Sequence, residues 1–374
     1  MLKTGATKVR VGMNLLYLIP GEVGGVETYA RELIAHLAQV EETLSFVVFI
    51  SAKVEGFSVP TAPQVRCVRI PINVRNRYAR YTWEQLVLPF QILWHRIDVL
   101  HSLNYVGPII CPCKTVVTIH DANRAVVGAT MPRIKRIGLS VFSGLAAKTS
   151  DVVVTVSRFS KHELEKRLRI RPAKIRIIYS GCGADSLAAG RQDVASHTDT
   201  PYIMCFGGGY PHKNLPRLLR AYARACDGLP HRLVIVGHVD SSVETTQIAD
   251  GPAGRIIRTG YVGRSEVLRL LAGARLFVLP STYEGFGFPI LEAQAAGVPV
   301  ACSRVASIPE VAGAGAEYFD PFDETDMANT IRRVLLDRPL SERLVADGFA
   351  NVRRFSWPRA AREYASLYKQ VATA

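Results

Sequence analysis

Short apolar runs alternate along the chain with longer stretches in which apolar residues recur about every 3.6 positions, the spacing of amphipathic helices. The first such unit is a strand at Lys8 to Leu16, a glycine loop at Gly21 to Gly25 and a helix at Val26 to Val40. Strands that alternate with helices predict a parallel sheet covered on both faces. Further strands are expected at Ser45 to Ile50, Val65 to Ile70, Val99 to Ser102, Thr115 to Ile119, Asp151 to Val156 and Lys174 to Tyr179.

The apolar period is lost between Gly181 and Thr200, a stretch rich in small and polar residues that we interpret as an interdomain linker. A second alternation of strands and helices follows and predicts a second α/β domain of the same kind. Its strands are expected at Tyr202 to Phe206, Arg232 to Val236, Arg255 to Thr259, Arg275 to Leu279 and Val298 to Cys302, with helices at Asn214 to Cys226, at Glu266 to Ala274 after an N-cap Ser265, and from Pro289.

The pattern therefore predicts two doubly wound parallel-sheet domains that face each other across a cleft. The predicted domains span residues 1–190 and 191–355, and a last helix at 356–374 could pack back on the first domain. Open parallel sheets bind ligands outside the carboxyl ends of their strands. We therefore expect the chemistry in the loops that follow the strands.

Composition favours a soluble globular protein, since hydrophobic residues make up 48% of the 374 residues and charged residues 21%. No apolar run approaches the roughly 20 residues that a membrane-spanning helix needs. The apolar run near the N-terminus contains Asn14 and leads into a glycine loop, which favours a core strand over a signal peptide. The seven cysteines are scattered without paired C-x-x-C spacing, which is typical of the reducing cytoplasm, where we expect the protein.

The net charge of +14 predicts affinity for anionic partners, and it is concentrated in the first half of the chain. Between Arg124 and Arg176 there are thirteen basic residues against three acidic ones. Residues 132–148 combine basic and apolar positions, and as a helix they could either lie on an anionic membrane surface or form an ordinary domain helix with a basic exposed side. No interleaving of basic and aromatic residues indicates a nucleic-acid-binding protein, so we expect no nucleic-acid partner.

Candidate chemistry is concentrated in the run Glu284-Gly285-Phe286-Gly287-Phe288-Pro289, which leads into a helix that contains Glu292. The free N–H groups at such a helix start could hold a sugar hydroxyl or a phosphate. The two carboxylates could each accept hydrogen bonds from the vicinal hydroxyls of one ring. Alternatively, Glu292 complements the helix dipole and Glu284 is a solvated loop acid.

Two other residues follow strands. Lys213 stands just before a predicted helix, where a cation could stabilise a departing diphosphate or simply be solvated. His120 ends an apolar run and could either contact a ligand or be a structural histidine. The glycines at 207–209 do not fit a dinucleotide fingerprint, because His212 stands where the third glycine should be. No pair of acids at a strand end indicates a metal, and none is expected.

Together these motifs resemble the retaining nucleotide-sugar glycosyltransferases of family 4, which have the GT-B architecture of two Rossmann-like domains. The resemblance covers nearly the whole chain and implies that His120, Lys213 and Glu284 are catalytic. One departure concerns Gly208, where the family often has arginine. The donor-binding residues that the resemblance implies are Gly24, Gly25, Gly207, Lys213, Tyr261, Val262, Glu284, Gly285, Phe286, Gly287, Phe288 and Glu292.

The resemblance implies transfer of a hexose, with mannose from GDP-mannose favoured, from a nucleoside diphosphate sugar to a hydroxyl group. The expected acceptor is a glycan, lipid-linked or otherwise, in the biosynthesis of a polysaccharide such as lipopolysaccharide. No cofactor is expected beyond the nucleotide-sugar co-substrate, and the enzyme could be peripheral on the inner face of the cytoplasmic membrane. The alternatives are an epimerase or phosphorylase on the same fold, and a basic non-catalytic scaffold that binds phospholipid or nucleic acid.

Overall fold

The computed structural model describes residues 8–21, 24–40, 43–122, 144–183, 200–208, 210–239 and 255–374. The chain forms two compact units. The first unit contains residues 1–181 together with 356–374, and the second contains residues 182–355. The boundary predicted at residue 190, most of the predicted linker and most of the basic segment 132–148 lie outside the described residues.

The described strands of the first unit form one seven-stranded parallel sheet in the order β3-β2-β1-β4-β5-β6-β7. The order reverses beside β1, because the chain builds outward from β1 in one direction and then returns to its other side, as in Rossmann-like folds. The strands are β1 (Val9–Asn14), β2 (Leu44–Ser51), β3 (Val65–Ile70), β4 (Val99–Ser102), β5 (Lys114–Thr118), β6 (Val152–Thr155) and β7 (Ile175–Ile177).

The helices of this unit cross between successive strands, as parallel pairing requires. Their apolar faces cover the sheet; in the first helix, for example, Tyr29, Leu33 and Leu37 are buried. The helices are α1 (Gly25–Val40), α2 (Arg77–Thr82), α3 (Leu88–Trp94), α4 (Arg158–Leu168) and α11 (Trp357–Thr373), and a π-helical turn at Trp83–Val87 joins α2 to α3. Residues 144–149 are also helical.

The C-terminal helix α11 belongs to the first unit and packs against α1 and the central strands. A buried hydrogen-bonded network joins it to the sheet. The Tyr29 hydroxyl lies 2.5 Å from that of Tyr364 and 3.1 Å from Thr118 Oγ1. His101 bridges Thr118 Oγ1 and the Tyr368 hydroxyl at 2.7 Å each. Burial lowers the pKa of His101 to about 3, so the imidazole is neutral and one ring nitrogen donates while the other accepts.

The described strands of the second unit form a six-stranded parallel sheet in the order β10-β9-β8-β11-β12-β13. The strands are β8 (Tyr202–Phe206), β9 (Arg232–Val236), β10 (Ile256–Gly260), β11 (Leu276–Leu279), β12 (Val300–Ser303) and β13 (Glu317–Phe319). The helices are α5 (Leu215–Ala225), α6 (Arg264–Ala272), α7 (Phe288–Ala295), α8 (Ile308–Ala312), α9 (Glu324–Leu336) and α10 (Arg338–Val352).

One local prediction for this unit was wrong. Helix α6 begins at Arg264, and its N-cap is Gly263. The sequence predicts Ser265 at the N-cap, because hydroxyl side chains are preferred there. In addition, the edge strand β13 is not predicted, because it has three residues, begins with Glu317 and forms no apolar run in the sequence.

Among the described residues, no helix has the length and apolar character that crossing a membrane would require.

Candidate active site

Lys213 lies in a short turn between β8 and α5, and Asn214 fixes the geometry of that turn. Asn214 has a left-handed backbone (φ 55°), which asparagine tolerates better than most residues. Its buried side-chain amide donates to the carbonyls of Pro280 at 3.0 Å and Pro321 at 2.7 Å. The turn that carries Lys213 is thereby tied to the ends of β11 and β13.

A second tie joins the same turn to the segment after β11. The backbone N–H of Thr282 donates to the carbonyl of His212 at 2.8 Å. Burial, and then the neighbouring Lys213, lower the pKa of His212, so its ring is neutral at pH 7. Its Nδ1 is buried without a partner among the described residues. The hydrogen bond from Thr282 therefore fixes the backbone of the two segments relative to each other, next to the side chains of Lys213 and Glu284.

Lys213 and Glu284 form an ion pair, which brings together two of the three predicted catalytic residues. Lys213 Nζ lies 2.8 Å from Glu284 Oε1, and the Ser281 hydroxyl donates to the same oxygen at 2.7 Å. The side chains are 23% and 16% exposed, so solvent screens the pair only in part. The described residues offer no partner to Glu284 Oε2, which leaves that oxygen able to accept a hydrogen bond from a ligand.

The electrostatic balance at Glu284 favours the ionised carboxylate. Burial alone would raise its pKa. The Lys213 ammonium, with the hydrogen bonds from Lys213 and Ser281, outweighs burial and holds the pKa below its ordinary value. At neutral pH Glu284 is therefore an acceptor, as a group that binds sugar hydroxyls must be.

The glycine loop after Glu284 is held by a buried serine from the next segment. The Ser307 hydroxyl is 2.8 Å from the carbonyl of Glu284 and 3.1 Å from that of Phe286. Gly287 has φ 106°, which strains any residue with a Cβ, and it caps α7. Gly285 and Phe286 are buried, and Phe288 begins the helix. The predicted helix start is confirmed, and its first N–H groups are those of a helix N-terminus.

Glu292 has a different partner from Glu284. It is 7% exposed, and its Oε1 lies 2.7 Å from a guanidinium nitrogen of Arg264 at the start of α6. Just before that helix, Tyr261 is 77% exposed and Val262 packs against the second unit's core. The structure therefore places Glu292 beside the segment that contains both of these predicted donor-binding residues.

The glycines after β8 allow two close approaches. A Cβ at Gly207 would lie 3.0 Å from Ile235 Cγ2 and 3.1 Å from the carbonyl of His238. A Cβ at Gly208 would lie 3.2 Å from Lys213 Cγ. The stem of Lys213 therefore packs closely against Gly208, and a side chain at this position would require the lysine to shift.

In the first unit, the Glu27 side chain forms a hydrogen bond across the predicted glycine loop. Gly24 has φ 55° and Gly25 begins α1. Glu27 accepts a hydrogen bond from the N–H of Gly21 at 2.8 Å and pairs with Arg31 at 2.7 Å. An acid in the first turn also complements the dipole of α1.

His120 follows β5 and is 8% exposed. Its Nε2 lies 3.2 Å from the carbonyl of Leu103, so this nitrogen carries the proton and donates. Its own carbonyl accepts from the Ser160 hydroxyl at 2.9 Å. The ring stands edge-on to Tyr29 at 4.7 Å between centroids, and the next residue, Asp121, accepts from the Tyr105 hydroxyl at 2.8 Å. The imidazole is thus oriented by several groups of the first unit.

Sequence reasoning missed the supporting residues Asn214, Ser281, Ser307 and Arg264. A signal existed for one of them, because asparagine directly after Lys213 is suited to a left-handed turn. Ser281 and Arg264 act through contacts that no local pattern indicates. Within the described part of the chain, no group of three or more His, Cys, Asp and Glu side chains is arranged to hold a metal ion.

Two Rossmann-like parallel sheets, with a charged pair and a glycine loop after the strands of the second, define the class of GT-B glycosyltransferases. Comparison with protein families agrees with this class. Residues 23–185 match the model described as Glycosyltransferase Family 4, and residues 189–350 match Glycosyl transferases group 1. The chain belongs to these glycosyltransferases and is a transferase enzyme, which sets aside the epimerase and scaffold alternatives.

Individual relatives are consistent with this assignment. The chain is 27% identical over 371 residues to the O-antigen chain mannosyltransferase B of Escherichia coli, covering 92% of this chain and 96% of that protein. Its fold is similar to sucrose-phosphate synthase from Thermosynechococcus elongatus (TM-score 0.78, 19% identity, 97% and 99% of the two chains). It is also similar to Anabaena HepE in complex with UDP and glucose (TM-score 0.73, 17% identity, 97% and 100%).

Proposed function

We propose that the protein transfers mannose, with retention of configuration, from GDP-mannose to a hydroxyl group of a lipid-linked glycan during polysaccharide biosynthesis. The observation that carries the proposal is the ion pair of Lys213 and Glu284 after the strands of the second sheet. The choice of mannose and of a polysaccharide acceptor is supported by the likeness to the O-antigen mannosyltransferase of Escherichia coli. Retention is supported by the family resemblance.

In the proposed reaction the bond between C1 of the sugar and the diphosphate oxygen breaks, and its electron pair leaves with GDP. The acceptor oxygen forms the new bond to C1 on the same face, and its proton passes to the departing phosphate oxygen. Lys213 donates one N–H to Glu284 and keeps two for the diphosphate. A preorganised cation of this kind stabilises the charge that develops on the leaving group.

Glu284 accepts hydrogen bonds from the sugar hydroxyls through Oε2, while Oε1 stays with Lys213 and Ser281. Glu292 accepts from the ribose hydroxyls, and Arg264 orients its carboxylate. The N–H groups of the glycine loop and of the start of α7 hold the diphosphate with Lys213. His120, in the first unit, contacts the sugar. We propose that no metal and no further cofactor takes part.

The protein is proposed to act in the cytoplasm on the inner face of the membrane, where a lipid-linked acceptor would be presented. Incubation of the purified protein with GDP-mannose, GDP-glucose, UDP-glucose and UDP-galactose, each with a mannosylated acceptor, tests the donor. We expect GDP release and a mannosylated product from GDP-mannose, with the α-anomeric signal of retention in the NMR spectrum and no loss of rate in EDTA. A product from a UDP-sugar alone, or a β-linked product, would overturn the proposal.

A further inference from the structure

The connection between β3 and β4 is a helical segment that is apolar on two faces. One face is buried and includes Leu88 and Ile92. The other carries Leu86, Phe90, Leu93 and Trp94, at offsets of four, seven and eight residues, and these four side chains are between 59% and 84% exposed. Such offsets align side chains along one side of a helix. We call these four residues the exposed stripe.

The exposed stripe continues onto the loop after β4. Gln85 donates to the carbonyl of Gly107 at 3.0 Å and accepts from the N–H of Ile109 at 2.9 Å. These two bonds hold the loop against the helix, and the next residue, Ile110, is 82% exposed. The same loop begins with Leu103, whose carbonyl accepts the hydrogen bond from His120. The apolar face therefore adjoins the loop that orients a predicted catalytic residue.

The chain segment that carries the exposed stripe is strongly basic. Residues 65–97 contain six arginines and a single acid, Glu84, which is buried, hydrogen-bonded to Asn14 and next to Arg80. The charge of the whole protein follows the same division. The first unit contains 28 Lys and Arg against 13 Asp and Glu, whereas the second contains 18 against 19. The partner of this face is therefore expected to be anionic.

We propose that the exposed stripe and Ile110 dock the first unit onto the surface of an anionic phospholipid bilayer. The helix would lie in the plane of the interface with its apolar side chains among the acyl chains. The most exposed aromatic residues, Tyr78 and Trp94, stand near the two ends of the segment and have the amphipathic rings typical of membrane interfaces. The surrounding arginines would face the lipid phosphates.

A second copy of the chain fits this face less well. A symmetric dimer would place the same arginine-rich surroundings of both copies opposite each other, and like charges disfavour that arrangement. The inference rests on the proposed function in one respect: a lipid-linked acceptor gives a reason for a site beside the bilayer. Membrane binding itself can be measured without donor or acceptor, so the two proposals fail independently.

Flotation of the full-length protein with vesicles tests the inference. We expect binding to vesicles of phosphatidylcholine and phosphatidylglycerol, weaker binding to phosphatidylcholine alone, and weaker binding as salt increases. The Phe90→Ser/Trp94→Ser double variant should lose at least about tenfold in vesicle affinity, because it removes two large apolar contacts. The Arg75→Gln/Arg77→Gln variant should bind anionic vesicles more weakly, by about fivefold for each arginine removed, since both are exposed. Its binding to vesicles of phosphatidylcholine alone should not change.

Leu336→Ser is the matched control, because Leu336 is an exposed apolar residue of the second unit. It should bind vesicles like the wild type, and all variants should keep the wild-type melting temperature and the rate with a short water-soluble acceptor. Unchanged binding of the Phe90→Ser/Trp94→Ser variant would overturn the inference. The inference would also be overturned if the protein did not bind vesicles and instead formed a dimer, detected by sedimentation velocity, that this double variant dissociates.

Discussion

Removing Lys213 tests the proposed site most directly, because its ammonium pairs with Glu284 and, in the proposed reaction, also stabilises the leaving group. In Lys213→Ala the diphosphate loses a cation, and Glu284 loses the partner that lies 2.8 Å away. The loss of one preorganised charge stabiliser typically lowers kcat about a hundredfold, or about 2.7 kcal/mol in the barrier. We expect a loss of this size or larger in Lys213→Ala, with a smaller change in KM.

The same variant changes how stability depends on pH. In the wild type, the pKa of Glu284 is below its ordinary value, so the ionised carboxylate stabilises the fold above the pKa of the unfolded chain. That contribution is lost as the pH falls through the folded pKa. Without Lys213, burial is opposed by fewer groups and the pKa rises. The variant should lose about 1.5 to 3 kcal/mol at pH 7, the usual worth of a hydrogen bond to a charged group.

Three measurements separate these effects: GDP release against donor concentration, the pH profile of kcat, and urea denaturation at pH 7. Lys213→Ala should have the low kcat and an acidic limb shifted to higher pH. Lys213→Ala/Glu284→Gln should recover stability, because no charge is left unpaired, but not kcat. Arg338→Ala, which removes an exposed ion pair with Glu342, is the control. A near-normal kcat in the single variant, or recovery of kcat in the double variant, would refute leaving-group stabilisation.

Three further variants probe the surroundings of the pair. Gly287→Ala should destabilise the fold by about 1 to 2 kcal/mol in urea denaturation, because φ is 106° there. Gly144→Ala, at a helical position with open space around its Cβ and no positive φ, should not destabilise it. Arg264→Leu should raise the KM for the donor several-fold at nearly constant kcat, since Glu292 loses its partner; an unchanged KM would show that Arg264 does not orient Glu292 for the donor. Ser307→Ala should cost about 1 to 2 kcal/mol of stability and also lower kcat, and a loss of stability alone would make it purely structural.

The fold was largely predictable, because parallel strands are buried on both faces and stand out as apolar runs between helices. Strands such as β8 (Tyr202–Phe206) and β9 (Arg232–Val236) have the predicted bounds. The failures have physical causes. The edge strand β13 is short and begins with Glu317, so it forms no apolar run, and the helices α9 and α10 after it were not predicted. At α6 the chain uses Gly263 where a hydroxyl was expected.

Sequence patterns single out Lys213 and Glu284 as candidate site residues, but they do not predict that the two side chains form a pair. Lys213 and Glu284 are separated by 71 positions, so their contact depends on β8 and β11 being neighbours in the sheet. Strand order is a property of the fold, and the spacing of residues along the sequence does not predict it. The same holds for Arg264 and Glu292. They lie on helices that follow β10 and β11, and only the fold brings these helices together.

The position of Lys213 also bears on Gly208, where the family resemblance leads us to expect arginine. A Cβ at this position would lie 3.2 Å from Lys213 Cγ, so the lysine stem would have to shift by a few tenths of an ångström to admit a side chain. The two cations would also repel each other. With Gly208, the lysine stem can lie across the backbone and reach Glu284. Gly208→Arg should therefore displace Lys213 and lower kcat despite the added positive charge, and a faster enzyme would show that the site lacks a cation.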